Sequence, residues 1–184
     1  VDSVLLMMLQ VGKRSGSDIQ VLQLGSSPAM LASLDKGGIE GAVMTIPSMF
    51  VAEDRGYRVL LDMADTDIYY LHTMVATTRQ YIKGNRDKVL RFLKGYVEGI
   101  AFVKQNRKES LDIVKKKLRI GPEQEGNLER SIDLLSAKYY ETIPYPSLRG
   151  VETVLGFVEK DNPKAKTADP KSFVDDSLLR EIEA

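Results

Sequence analysis

Residues 19–61 read IQVLQLGSSPAMLASLDKGGIEGAVMTIPSMFVAEDRGYRVLL, and the fold class turns on how this stretch is divided. Ile19, Val21, Leu22 and Leu24 form a short apolar run that stops at Gly25. Such a run, bounded by a turn residue, fits a buried strand. Ser26-Ser27-Pro28 follows, a helix start with a hydroxyl cap and proline in the first turn. Met30, Leu31 and Leu34 give that helix an inner face, and Gly37-Gly38 ends it. Ile39 to Thr45 reads as a second buried strand, and Pro47 opens a helix through Glu53 that closes at Gly56. Tyr57 to Leu61 reads as a third strand. Strand and helix alternate throughout, which predicts an α/β fold with a parallel sheet.

Downstream the pattern changes. Tyr69 to Thr77 (YYLHTMVAT) reads as one more strand, and almost everything after it is helical. Val89, Leu93, Tyr96, Val97 and Ile100 recur at helical spacing, flanked by Phe92 and Val103. Leu111, Val114 and Leu118 mark the next helix, and Gly121-Pro122 separates it from one carrying Leu128, Ile132, Leu135 and Tyr139. Pro144 and Pro146 break the chain before a helix of Val151, Val154, Leu155 and Val158. Residues 162–170 read as a loop, and Ser177 to Glu183 as a short closing helix. The expected division is an α/β lobe over 1–68 and a return strand with helices over 69–184. The strand at Tyr69 has no strand after it, so its ladder is expected from the first sheet, from another chain or from a segment upstream. Upstream, Asp2-Ser3 caps a helix expected through Lys13. The sequence thus opens at a helix start, and it reads as a chain whose N-terminal part is missing.

Composition narrows the function classes. The chain has 184 residues, 43% of them hydrophobic, with 26 Lys plus Arg against 26 Asp plus Glu. That is too apolar and too balanced for a disordered chain. A nucleic acid is not an expected partner, because phosphate contacts need a cationic surplus. No apolar run approaches the roughly 20 residues of a membrane helix. Cysteine is absent and His72 is the one histidine. These counts exclude a thiol nucleophile, a disulfide framework and a zinc finger, and no metal or cofactor is expected. The sequence has no Gly-rich phosphate loop, no G-x-S-x-G and no HExxH.

Candidate ligand contacts gather at helix starts and on the last strand. Asp2-Ser3, Gly25-Ser26-Ser27-Pro28 and Thr45-Ile46-Pro47-Ser48 are strand-to-helix junctions. In a parallel sheet such junctions lie where ligands bind, and helix N-termini present free N–H groups to anions. Ser3, Ser26, Ser27, Thr45 and Pro47 are therefore candidates, although serine and threonine also cap helices that bind nothing. His72 lies mid-strand beside Tyr69, Tyr70 and Thr73. Tyr69, His72 and Thr73 are taken as cleft contacts; a buried strand histidine with one hydrogen bond is the plainer alternative. Asp62, Asp65 and Asp67 lack the glycine and distal Glu of a calcium loop. No catalytic residue is singled out, and a small-ligand binder is the modest inference from the residues.

Residues 26–65, SSPAMLASLDKGGIEGAVMTIPSMFVAEDRGYRVLLDMAD, resemble the central part of substrate-binding proteins of bacterial ABC importers. The likeness is to the nitrate, sulfonate, taurine and thiamine-precursor group. It rests on the order of Leu34, Gly38, Ile39-Glu40, Gly41-Ala42-Val43, Pro47, Ala52 and Gly56-Tyr57-Arg58-Val59-Leu60. It continues through VATTRQYIKGNRDKVLRFLKGYVEGIAFVKQNRKESLDIVKK and the ending KTADPKSFVDDSLLREIEA. The resemblance implies a type II periplasmic-binding lobe with a parallel sheet, followed by a mainly helical C-terminal half. It implies a non-enzymatic solute binder that takes a small anion or heterocycle in an interlobe cleft and delivers it to an ABC permease. The place would be periplasmic or extracellular. Ser26, Ser27 and Thr45 to Pro47 would face that cleft, with Tyr69 to Thr73 near the hinge. The family's first lobe is not in this sequence, so Val75 and the Val89–Val103 helix are expected to expose apolar surface and to favour self-association. A ligand-sensing regulatory domain of the same fold is one alternative. A thiamine-pyrimidine synthase-like enzyme is another; that branch relies on a Cys-rich segment and histidine, and this chain has no cysteine.

Overall fold

The computed structural model describes residues 19–71 and 73–183. Ser26-Ser27-Pro28 opens helix α1, Ser27–Asp35. The Ser26 Oγ accepts the Ala29 N–H at 3.4 Å, and proline stands in the first turn, where its missing N–H costs nothing. Helix α2, Ser48–Asp54, follows Pro47. Both helices end in the same closure. Gly37 and Gly56 take positive φ, at 67° and 85°. Gly38 N–H then donates to the Ser33 carbonyl at 2.8 Å, and Tyr57 N–H to the Ala52 carbonyl at 3.1 Å. Each bond satisfies a carbonyl of the last turn, and glycine is the residue that reaches this conformation without strain.

The sheet is the correction. Among the described residues there is no strand, and the structure is all-helical rather than an α/β lobe with a parallel sheet. The runs at 19–24, 39–45, 57–61 and 69–77 are irregular where they are described. Their apolar side chains are not in a core: Leu60 is 83% exposed, Met74 55% and Leu22 51%. A parallel strand is stabilised by burial on both faces and by a ladder on each side. Without either, ordering these segments would cost backbone entropy with nothing to offset it. The helix expected from Ser3 to Lys13 lies outside the described residues.

The chain divides into two compact units, one holding residues up to Asp67 together with Gly121–Ser131, the other holding Ile68–Ile120 and the residues from Ile132 onward. In the first unit α1 packs on α2. Met30, Leu31, Phe50, Ala52 and Leu128 are buried there. An Asp35–Arg55 ion pair ties the C-terminal ends of the two helices, and the Tyr57 hydroxyl donates to the same carboxylate at 3.1 Å. Leu128 comes from α6, Glu125–Leu134, whose Arg130 lies 4.1 Å above the Phe50 ring. The same guanidinium reaches Asp54 at 2.9 Å and Glu53 at 2.5 Å.

In the second unit the long α4, Arg86–Gln105, is flanked by α3, Arg79–Gly84, and α5, Arg107–Leu118. Ile100 of α4 is buried, whereas Phe92 and Tyr96 stack on each other in the open, ring centroids 6.4 Å apart. After α6 the chain widens into a π turn over Leu135–Tyr139, closed by Tyr140 N–H on the Leu135 carbonyl at 2.8 Å. Helix α7, Leu148–Val158, is capped by the Ser147 Oγ, which accepts the Gly150 N–H at 3.1 Å. It packs on short 3-10 turns at Pro163–Thr167 and Pro170–Phe173. The last helix, α8, is Ser177–Glu183, packed on α4 and linked to it by an Arg86–Glu181 ion pair. Ile100, Leu111, Ile132, Val151, Ala165, Leu178 and Leu179 supply this unit's buried apolar side chains.

Candidate functional site

The expected contact residues fall in both units. Ser26 is the N-cap of α1 and exposed; Ser27 is its first residue and half-buried. Thr45 is exposed, and its carbonyl accepts the Met49 N–H at 3.1 Å. Pro47, preceded by a cis peptide bond, has its carbonyl over the first turn of α2, accepting from Phe50 at 3.0 Å and Val51 at 3.3 Å. These four belong to the first unit. Tyr69 and Thr73 belong to the second, both exposed. The Tyr69 ring lies under the Arg149 guanidinium, 4.2 Å from its centroid. Ser3 and His72 lie outside the described residues, so their expected roles have no structural counterpart here.

The start of α1 is thus the part of the expected site with definite geometry. Its first turn contains no acidic residue, so no side-chain carboxylate there answers the positive end of the helix. The Ser26 hydroxyl already satisfies one orphan N–H. At α2 no side chain caps the helix. Neither start offers a nucleophile activated by a base. Among the described residues, no group of three His, Cys, Asp or Glu is placed to hold a metal ion. None of the described helices is long and apolar enough to cross a membrane.

A second arrangement was not read from the sequence. Arg107, at the start of α5, forks onto Asp133 of α6, with Nε at 2.6 Å from Oδ1 and Nη2 at 2.8 Å from Oδ2. They border an open depression of about 380 Å³ with Val103, Lys104, Ser136 and Ala137. The Ser136 Oγ is buried and has no hydrogen-bond partner among the described residues. The two charges are 26 positions apart, so no helical spacing announces the pair.

The Arg107 fork holds the Asp133 carboxyl below its ordinary value, against a weaker opposing effect of burial. A depressed carboxylate contributes stability that is full above its unfolded pKa, near 4, and is lost as pH falls through the folded value. Both side chains are about half exposed, so the pair is expected to be worth only about 0.2–1 kcal/mol. Asp133→Asn should therefore cost that much at neutral pH and nothing in strong acid. Thermal unfolding of the two chains at pH 7 and pH 3 measures the difference; an equal gap at both values would count against the pair.

Comparison with protein-family models, curated proteins and solved structures returns no match for this chain.

Proposed function

We propose that the chain is the solute-binding component of a bacterial ABC uptake system, a protein that captures a small anion or heterocycle and performs no chemistry on it. The observation that carries this reading is the ordered series from Ser26 to Leu60, with its helix starts and glycine stops in the sequence of the importer group. Gly56 of that series holds positive φ at the end of α2, so that glycine has a conformational task. The α1 start, with Ser26 and Ser27 and no carboxylate in its first turn, is compatible with an anionic group. A permease in the membrane is the proposed partner. Periplasmic or extracellular placement follows from the same reading, and so does self-association through the exposed apolar side chains of the second unit.

A thermal-shift panel with nitrate, taurine, an alkanesulfonate and an aminopyrimidine tests it. A cognate ligand at about 100 times its Kd stabilises by about 2.7 kcal/mol, which a melting curve reads directly. Replacing Ser26 and Ser27 together by alanine should remove most of that shift. If no member of the panel raises the melting temperature, the uptake reading is wrong for this chain.

A further inference from the structure

Three features meet at the open depression of about 380 Å³ bordered by Val103, Lys104, Arg107, Asp133, Ser136 and Ala137, all in the second unit. The first is the π turn over Leu135–Tyr139, which supplies Ser136 and Ala137. Such widened turns are rare in helices and recur at functional sites. The second is the Ser136 side chain. Its Oγ is buried and has no hydrogen-bond partner among the described residues. Ser131, in the regular part of the same helix, shows the ordinary solution: its hydroxyl donates to the Asn127 carbonyl at 2.6 Å. A buried hydroxyl left unpaired costs stability, and its persistence calls for a partner that the chain itself does not supply. The third is the wall around it. Val103 and Ala137 give apolar surface, and Lys104, in the last turn of α4, brings an ammonium that pairs with no carboxylate among the described residues. Arg107 and Asp133 are joined by two bonds, so that pair forms a fixed rim. The partner that fits is a small molecule with a short apolar body and an anionic, hydrogen-bonding end.

We propose that this depression binds a short-chain carboxylate, with the aliphatic body against Val103 and Ala137 and the carboxylate accepting from Lys104 and the Ser136 hydroxyl. The Oγ is covered, and one rotation about χ1 of Ser136 turns it to the ligand. The residues of this site are separate from those of the uptake reading, and it stands whether or not that reading does.

The test is an NMR titration of the complete chain with butyrate and, in parallel, the uncharged butyramide, at constant ionic strength set with chloride. The expected result is a saturable shift of the Val103, Ser136 and Ala137 amide signals with butyrate, with a Kd in the millimolar range, and no saturation with butyramide. Lys104→Gln should weaken butyrate binding about tenfold, the loss of one charge-assisted contact. Lys104→Arg should restore it, and Lys104 is exposed, so neither change threatens the fold. Ser136→Ala should do two things at once. It should raise the melting temperature of the unliganded chain, because the unpaired hydroxyl is gone, and weaken butyrate about tenfold. A Ser136→Ala chain that melts higher yet binds butyrate unchanged would make the hydroxyl a packing defect and overturns the proposal. So does a linear, non-saturating response to butyrate, or butyramide bound as tightly as butyrate.

Discussion

Phe50→Ala is expected to cost about 3–5 kcal/mol, the loss typical of a buried aromatic reduced to a methyl. Phe50 is only 7% exposed and belongs to α2, the helix that packs on α1. Its ring also carries the Arg130 guanidinium at 4.1 Å, an attraction of about 0.5–1 kcal/mol at an exposed site. Removing the ring therefore takes away both the packing of α2 and one support of Arg130. The two carboxylate contacts of Arg130 remain but are partly exposed, so they cannot replace what is lost. Hydrogen exchange of the α1 and α2 amides reads the change in the first unit by itself. A loss below about 1 kcal/mol would show that Phe50 is not central to this unit. Arg130→Ala should cost about 1–2 kcal/mol alone and less once Phe50 is gone, because the pair shares one interaction.

Gly150→Ala sets two effects against each other. Alanine is the better helix former by about 1 kcal/mol, so on propensity alone the change would stabilise α7. Space decides otherwise. A Cβ at Gly150 would sit 2.8 Å from the Leu71 Cγ and 3.0 Å from its Cδ2, with the Leu71 backbone N at 3.5 Å. The branch point of a leucine cannot swing aside as a chain end can, and the backbone behind it limits retreat. We expect a net loss of about 1–3 kcal/mol by overpacking. Adding Leu71→Ala should return part of it, since the new methyl then occupies vacated room. A melting temperature raised by Gly150→Ala would show that the contact is slack.

The helices were legible in the sequence because each is signed locally. Ser26-Ser27-Pro28 marks the start of α1, and Gly37 and Gly56 mark the ends of α1 and α2. The apolar stripe from Val89 to Val103 lies within α4, and the closing helix runs over Ser177–Glu183 as its pattern indicates. The strands were not legible in the same sense. An apolar run such as Tyr57 to Leu61 states that a segment could be buried, but a strand exists only through a partner elsewhere. Val59 and Leu60 find none among the described residues and stand exposed. Charge clusters were missed for a related reason. Asp176 and Arg180 pair at helical spacing, which a sequence can display, whereas Arg149 meets Tyr69 and Arg107 meets Asp133 only through the fold.

The first unit is not a continuous piece of chain. It is completed by Gly121–Ser131, and Ser131 lies 64 positions after Asp67. Synthesis at about 5–20 residues per second puts roughly 3–13 s between those two points. During that interval Phe50 has emerged from the ribosome and the arginine that covers it has not yet been made. A nascent chain of this protein therefore passes through a stage in which α1 and α2 exist without their third member. At that stage a chaperone that binds apolar side chains meets a surface that the finished protein closes.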